Sequence, residues 1–239
     1  MSAEEEVSVS GSGGRGRAAA AAPVPAYERT ITLFSPEGRL CQLDYAFNAV
    51  KTTGFTSVGV RGGDCVVVVT PVKEDPLMDD TTISNPFVIT KRIGLLATGM
   101  PADGRAIAQE ARNAAAEFRY KWGYEMSPRM LAQWIADRAQ IHTQHAHIRP
   151  YGVVSMIFGI DEEDETPQLF TCDPAGQFFG HKAVSVGPKD KEVINFLEER
   201  MKCNPSLSID SALQIGIVCK SSPNVRLEGP ARFYITAEG

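Results

Sequence analysis

The chain has 239 residues, 43% apolar and 22% charged, with a formal net charge of −5. That length suits one domain, or at most two small ones, with a core of its own. The acidic balance gives no basic footprint for nucleic acid, and no run approaches the roughly 18 consecutive apolar residues of a membrane span, so partners of both kinds are set aside.

Residues 1–26 are rich in Ser, Gly, Ala and Pro. A segment like this buries too little apolar surface to offset its ordering entropy and reads as a flexible arm. Glu4, Glu5 and Glu6 stand where a secretory signal would be positive, and Ala18–Ala22 is too weak for a signal core. The five cysteines (41, 65, 172, 203 and 219) are odd in number and form no C-x-x-C pair. Both observations point to a soluble intracellular protein in a reducing compartment.

Ordered sequence is expected from Tyr27, with Thr30–Phe34 extended and a turn at Ser35-Pro36-Glu37-Gly38. Leu40, Leu43, Phe47 and Val50 recur at helical spacing, predicting a short amphipathic helix that ends near Gly54. Two strands, Thr56–Arg61 and Cys65–Thr70, flank the hairpin turn Gly62-Gly63-Asp64, and Phe87–Thr90 with Ile93–Thr98 reads as a second hairpin. The period then changes. Ile107, Ala111, Ala114, Ala115, Phe118 and Trp122 mark the buried stripe of a long helix from Asp103 to Trp122. Ser127-Pro128 starts another, with Ser as N-cap and Pro at the first helical position, fading near His145. Strands return at Val153–Ile160, Gln168–Cys172 and Gln177–Gly180, with Asp161–Glu165 as an acidic loop. A helix over Asp190–Met201 and strands at Ile215–Cys219 and Phe233–Ile235 close the series.

Helices do not alternate regularly with strands, which disfavours a doubly wound parallel sheet. Hairpins with grouped helices give a layered α+β protein, and apolar runs such as Val66–Val69 suggest strands covered on both faces, as in two stacked sheets with helices outside. His142 and His145 lie one turn apart, but no cysteine or well-placed carboxylate completes a zinc set, and Asp161–Glu165 lacks the glycine and spacing of a calcium loop. No metal and no cofactor is expected. Arg105, Arg112 and Arg119, seven apart on one helix, are contact or solvent residues.

The stretch Tyr27-Glu28-Arg29-Thr30-Ile31-Thr32-Leu33-Phe34-Ser35-Pro36-Glu37-Gly38-Arg39-Leu40-Cys41-Gln42-Leu43-Asp44-Tyr45-Ala46 closely resembles the signature of proteasome alpha subunits. Arg149-Pro150-Tyr151-Gly152-Val153 and Cys172-Asp173-Pro174-Ala175-Gly176 resemble two later segments of the same family, so the likeness spans about residues 27–220. Tyr45-Ala46-Phe47, Tyr120-Lys121-Trp122-Gly123-Tyr124-Glu125 and Ile135-Ala136-Asp137 are most similar to the alpha type-6 group, at ring position alpha-1.

The resemblance implies a four-layer α/β/β/α sandwich of the Ntn-hydrolase kind over residues 27–239, behind a gating arm at 1–26. It also implies a non-catalytic place in a seven-membered alpha ring, with six other alpha subunits and the beta ring in a 28-chain particle. There the chain would control admission of unfolded substrates in ubiquitin-dependent proteolysis and dock activators such as the 19S regulatory particle, in cytoplasm and nucleus. By the motif, Tyr27, Glu28, Arg29, Pro36 and Tyr45 are gate and ring-contact positions; Glu28 replaces the usual aspartate and Asp44 the usual glutamate.

Related beta subunits use an N-terminal threonine whose own amine serves as base. Matching Phe55-Thr56-Ser57-Val58-Gly59 to that strand puts Phe55, expected as a buried ring, at the threonine. Pro71 then falls at the catalytic aspartate and Asn85 at the lysine. In alpha subunits a lysine at the position of Asn85 pairs with activator tails, so the pocket of this chain is expected to lack that charge partner. An active beta-type hydrolase and a free-standing adaptor with an inert version of the fold are the alternatives. One departure stands: only Ser211–Gln214 separate Asp210 from Ile215, where the family has several helical turns, and the charged helix that usually follows Ile235 is missing. A reduced C-terminal region and a partial sequence are both open.

Overall fold

The computed structural model describes residues 24–71, 77, 85–203, 211, 214 and 231–237. Four consecutive valines, β-branched and stiff at χ1, dictate an extended backbone at Val66–Val69. They lie in β2 (Cys65–Pro71), which is buried along its whole length. The turn before it closes with Gly62 N–H donating to Cys65 O at 2.7 Å, returning the chain from β1 (Ser57–Arg61) in antiparallel register, Val58 opposite Val69. β8 (Ala183–Val186) and β9 (Ala231–Ala237) flank this hairpin, giving a four-stranded sheet in the order β8-β1-β2-β9. The second sheet has five strands in the order β3-β4-β5-β6-β7: Phe87–Val88, Ile93–Gly99, Val153–Ile160, Pro167–Cys172 and Phe178–Gly180. Every pairing in both sheets is antiparallel.

The two-residue alternation of strands sorts the core into layers. Val66 and Val68 face the second sheet, packing with Leu96, Met156, Phe158 and Leu169. Val67 and Val69 face the other way, with Val58 and Val60, onto Val193 and Leu197 of helix α5 (Asp190–Cys203). On the far side Leu95 and Ile157 meet Ile107 and Ala111 of α3 (Pro101–Trp122) and Leu131 and Ile135 of α4 (Pro128–Gln144). The result is helix, sheet, sheet, helix, the α/β/β/α sandwich that the sequence led us to expect. Small residues bring α3 close: a Cβ on Gly104 would lie 2.7 Å from that of Ala97. Ser127 caps α4 by accepting from Met130 N–H at 3.3 Å.

Three expectations need correction, and one strand was not foreseen. Thr30–Phe34 is not a strand: α1 (Ala26–Arg29) is a single helical turn, and Ile31–Thr32 form another turn. Among the described residues no strand pairs with that segment. Trp122 does not complete the buried stripe of α3. It is 57% exposed at the last turn, where the helix has run past the sheet, and Ala108 is buried instead. Phe55 precedes β1 with its ring 39% exposed rather than buried. β8 has only four residues beside a bend, which is too short for periodicity to mark. Ile215–Cys219, most of the Asp210–Ile215 segment and the arm up to residue 23 lie outside the described residues.

Candidate functional site

Helix α2 (Cys41–Thr52) packs against β4 and β5, burying Ala46 and Val50. It covers the end of the sandwich where β1 begins, and the groups beneath it decide what chemistry this end can do. Ser57 Oγ lies 3.1 Å from Thr70 Oγ1, and Thr98 Oγ1 donates to Ser57 Oγ across the two sheets, also at 3.1 Å. Thr56 Oγ1 accepts the backbone N–H of Lys189 at 3.2 Å. All four hydroxyl residues are buried. Pro71 ends β2 in this region, and the carbonyl of Phe55 continues into the chain. A hydrolytic centre here would need a free amine, a carboxylate and an ammonium; the structure has a hydroxyl chain joining the sheets. Serine and threonine hydroxyls are weak nucleophiles unless a base activates them, and the hydrogen-bond partners of these four among the described residues are hydroxyls and backbone groups.

The sequence could have indicated these hydroxyls. Ser57 and Thr70 fall on the alternation of the first sheet that faces the second, continuing Val66 and Val68, and Thr98 falls on the alternation of the second sheet that faces the first, continuing Leu96.

Asn85 is half-buried at the same end. Its Nδ2 donates to Ala97 O at 2.8 Å and its Oδ1 accepts Ala97 N–H at 3.2 Å, so both ends of the amide are held by β4.

Outside the sandwich, the segment before α2 folds over the N-terminus of that helix. Ser35 N–H donates to Arg39 O at 2.8 Å, Ser35 Oγ accepts Arg39 N–H at 3.2 Å, and Gly38 N–H donates to Ser35 O at 2.9 Å. Gln42 Nε2 donates to Glu28 O, tying α1 to α2. Arg39 Nη2 meets Asp44 Oδ2 at 2.7 Å. Together they form an open groove of about 280 Å³ whose lining includes Tyr27, Glu28, Pro36, Asp44 and Tyr45. Partial desolvation, then the neighbouring Glu28, Cys41 and Asp44, push the Tyr45 hydroxyl above its ordinary pKa, so it stays a proton donor. The groove thus brings together four of the five motif residues. Arg29 is the exception: its guanidinium turns back to Val24 O, with Nε at 3.0 Å.

A third feature fixes the loop beneath α2. Arg149 grips Asp103 with two hydrogen bonds of 2.6 Å, and the same carboxylate accepts Gly152 N–H at 3.0 Å. The Arg149 bonds hold the Asp103 carboxyl below the ordinary carboxylate range, against the opposing effect of burial. Met100 N–H donates to Gly152 O at 2.9 Å, and a Cβ on Gly152 would lie 3.5 Å from that of Ala49 in α2. His142 stacks on Tyr151 and contacts Arg149 O through Nδ1, while His145 Nδ1 contacts Ile141 O. His142 thus packs on the loop, while His145 bonds back to its own helix. The pairing of residues 103 and 149 carries no sequence signal, since they sit on separate elements 46 positions apart.

A family model for proteasome subunits matches residues 51–220, and the N-terminal signature of the A-type proteasome subunits matches residues 27–49. The chain belongs to the proteasome alpha-type subunits. Among its relatives, a probable proteasome alpha type-1 subunit of Schizosaccharomyces pombe is 50% identical over 177 residues, 74% of this chain and 72% of that one. The proteasome alpha type-6 subunit of Caenorhabditis elegans is 36% identical over 192 residues, 80% and 78% of the two chains. The archaeal proteasome alpha subunit of Saccharolobus solfataricus is 35% identical over 205 residues, 84% and 83%. Like the rest of its family, this protein is a non-catalytic component of the outer ring of the 20S core and assembles into that multi-subunit particle.

Proposed function

We propose that this protein occupies one position of a seven-membered alpha ring beside six other alpha subunits, above the beta ring of a 28-chain particle, with residues 1–26 as a gating arm. Tyr27, Glu28, Pro36 and Tyr45 hold the base of that arm, and Arg29 orients it. The observation that carries this reading is the shared groove: four motif residues from two helices and a turn meet where residue 24 leads away from α2. A tyrosine hydroxyl that keeps its proton can donate to a carboxylate beside it. The ring position proposed is alpha-1, the place of the alpha type-6 group. Activators such as the 19S regulatory particle dock on this ring in ubiquitin-dependent proteolysis, and the particle works in cytoplasm and nucleus. Asn85 leaves the adjacent activator pocket without a cationic partner for a tail carboxylate, so tails favour other pockets of the ring.

The test is a core particle reassembled with this chain lacking residues 1–23, assayed with a fluorogenic peptide and no activator. Hydrolysis should rise several-fold over the full-length particle. Tyr45→Phe in the intact chain should leave that basal rate unchanged and lower activator-stimulated hydrolysis. An unchanged basal rate in the truncated particle would overturn the gating role of the arm.

A further inference from the structure

Tyr45 lines the gate groove from α2. Ala49 stands four residues further on, so the two share a face of the helix, about 6 Å apart along its axis. Whatever Ala49 rests against therefore helps to set where Tyr45 sits. Its neighbour is Gly152: a Cβ there would lie 3.5 Å from Ala49 Cβ and 2.9 Å from Met100 Sδ. Gly99, at φ +136°, is as confined, because a Cβ on it would collide with Gly152 O. A side chain at either glycine would force its neighbours apart, so the loop after α4 and the junction between β4 and α3 meet backbone to backbone beneath α2.

Gly152 is held at both ends of its peptide groups. Its N–H donates to Asp103 Oδ2 at 3.0 Å, and its carbonyl accepts Met100 N–H at 2.9 Å. Arg149 fixes the Asp103 carboxylate through both oxygens at 2.6 Å. Asp103 belongs to the first turn of α3, and the loop is bound to α4 by the His142–Tyr151 stack, with ring centroids 4.3 Å apart. One carboxylate thus joins both long helices to the seat of α2. The groove itself is lined by residues 27–45 alone, so this node lies outside it.

We infer that Asp103 is a positioning residue for the gate, with Arg149 orienting it: Asp103 fixes Gly152, Gly152 seats α2 at Ala49, and α2 carries Tyr45. The inference rests on the reading of Tyr45 as a gate residue. A rigid helix passes a shift at Ala49 on to Tyr45. Without the carboxylate, the buried Gly152 N–H has to find another acceptor, and the loop moves to reach one.

The test is a double-mutant cycle on the core particle reassembled with this chain, read as activator-stimulated hydrolysis of a fluorogenic peptide. Tyr45→Phe and Asp103→Ala should each lower the stimulated rate at least threefold and leave the activator-free rate unchanged. The two together should lower it no further than the stronger single change, since both act through one hydroxyl. Asp103→Asn, which keeps an acceptor for Gly152 N–H, should restore most of the rate. Gly176→Ala strains the β6–β7 turn against α4 rather than the loop under α2; it controls for lost stability and should leave stimulation intact. Ala49→Leu crowds the same seat without stripping a buried N–H of its acceptor, and it should behave as Asp103→Ala does even where that variant assembles poorly. Losses that multiply with Tyr45→Phe, or a Gly176→Ala loss equal to that of Asp103→Ala, would overturn the positioning role and leave Tyr45 as a gate residue. A Tyr45→Phe particle stimulated like wild type would overturn the gate reading and this inference with it.

Discussion

Replacing Asp103 isolates the node that holds the loop before β5. The Asp103 side chain is 9% exposed, while that of Arg149 is 60% exposed. With one partner so open to water, the ion pair itself is worth only about 1 kcal/mol. The larger effect comes from the buried Gly152 N–H, whose acceptor is the same carboxylate; left unbonded, it costs about 1–3 kcal/mol. Asp103→Ala should therefore destabilise the chain by about 2–4 kcal/mol, whereas Asp103→Asn, which keeps an acceptor for Gly152, should cost about 1 kcal/mol. The pH dependence separates charge from packing. Because the folded carboxyl is held below the unfolded value of about 3.9, its contribution is complete above that value and is lost as pH falls through the lower folded pKa. Urea denaturation of the full chain, stepped from pH 7 to pH 3, should give a constant gap between wild type and Asp103→Asn down to about pH 4, then a narrowing one. A gap that persists unchanged into acid, or an Asp103→Ala cost below about 0.5 kcal/mol, would refute the reasoning.

Gly176 has φ +84°, and a Cβ there would lie 2.7 Å from Gln140 Cβ and 2.8 Å from Ala136 O; Gly176→Ala should lower stability by about 2 kcal/mol or more in thermal unfolding. Gly38→Ala, at φ +75° with nothing within 4 Å, should cost only the backbone term of about 1 kcal/mol. Equal losses would show that contact with α4 is not what excludes a side chain at 176. Burial pushes the Cys172 thiol pKa well up, and its Sγ donates to Ala132 O at 3.1 Å; Cys65 is also buried and raised. Iodoacetamide followed by peptide mass analysis of the native chain should therefore modify half-buried Cys41 well before either. Labelling of Cys172 at the rate of Cys41 would contradict the packing.

What the sequence disclosed follows from where the physics is local. The valine run, the Gly-Gly-Asp turn and the Ser-Pro helix start each have their cause within a few residues, and each is present in the fold. Trp122 and β8 show the limit. Helical spacing says which side chains share a face, but not where the sheet beneath stops, and a four-residue strand has no period to read. Tyr27, Glu28, Pro36 and Tyr45 were legible as parts of a motif, yet their meeting in one groove depends on Gln42 bonding to Glu28 and on the turn at Ser35–Gly38, which bring separate segments together. The hydroxyl chain and the Asp103–Arg149 node arise only when distant elements stack.

The amide of Asn85 has a consequence for attempts to alter this surface. By offering both a donor and an acceptor to Ala97, it acts as a one-residue substitute for a neighbouring strand, extending the hydrogen-bond ladder beyond the two residues of β3. A lysine placed there would bring an ammonium with donors but no acceptor, so Ala97 N–H would lose its partner, at about 1–3 kcal/mol. Charge can be introduced near this spot without loosening the margin of the sheet only if it arrives on a different side chain.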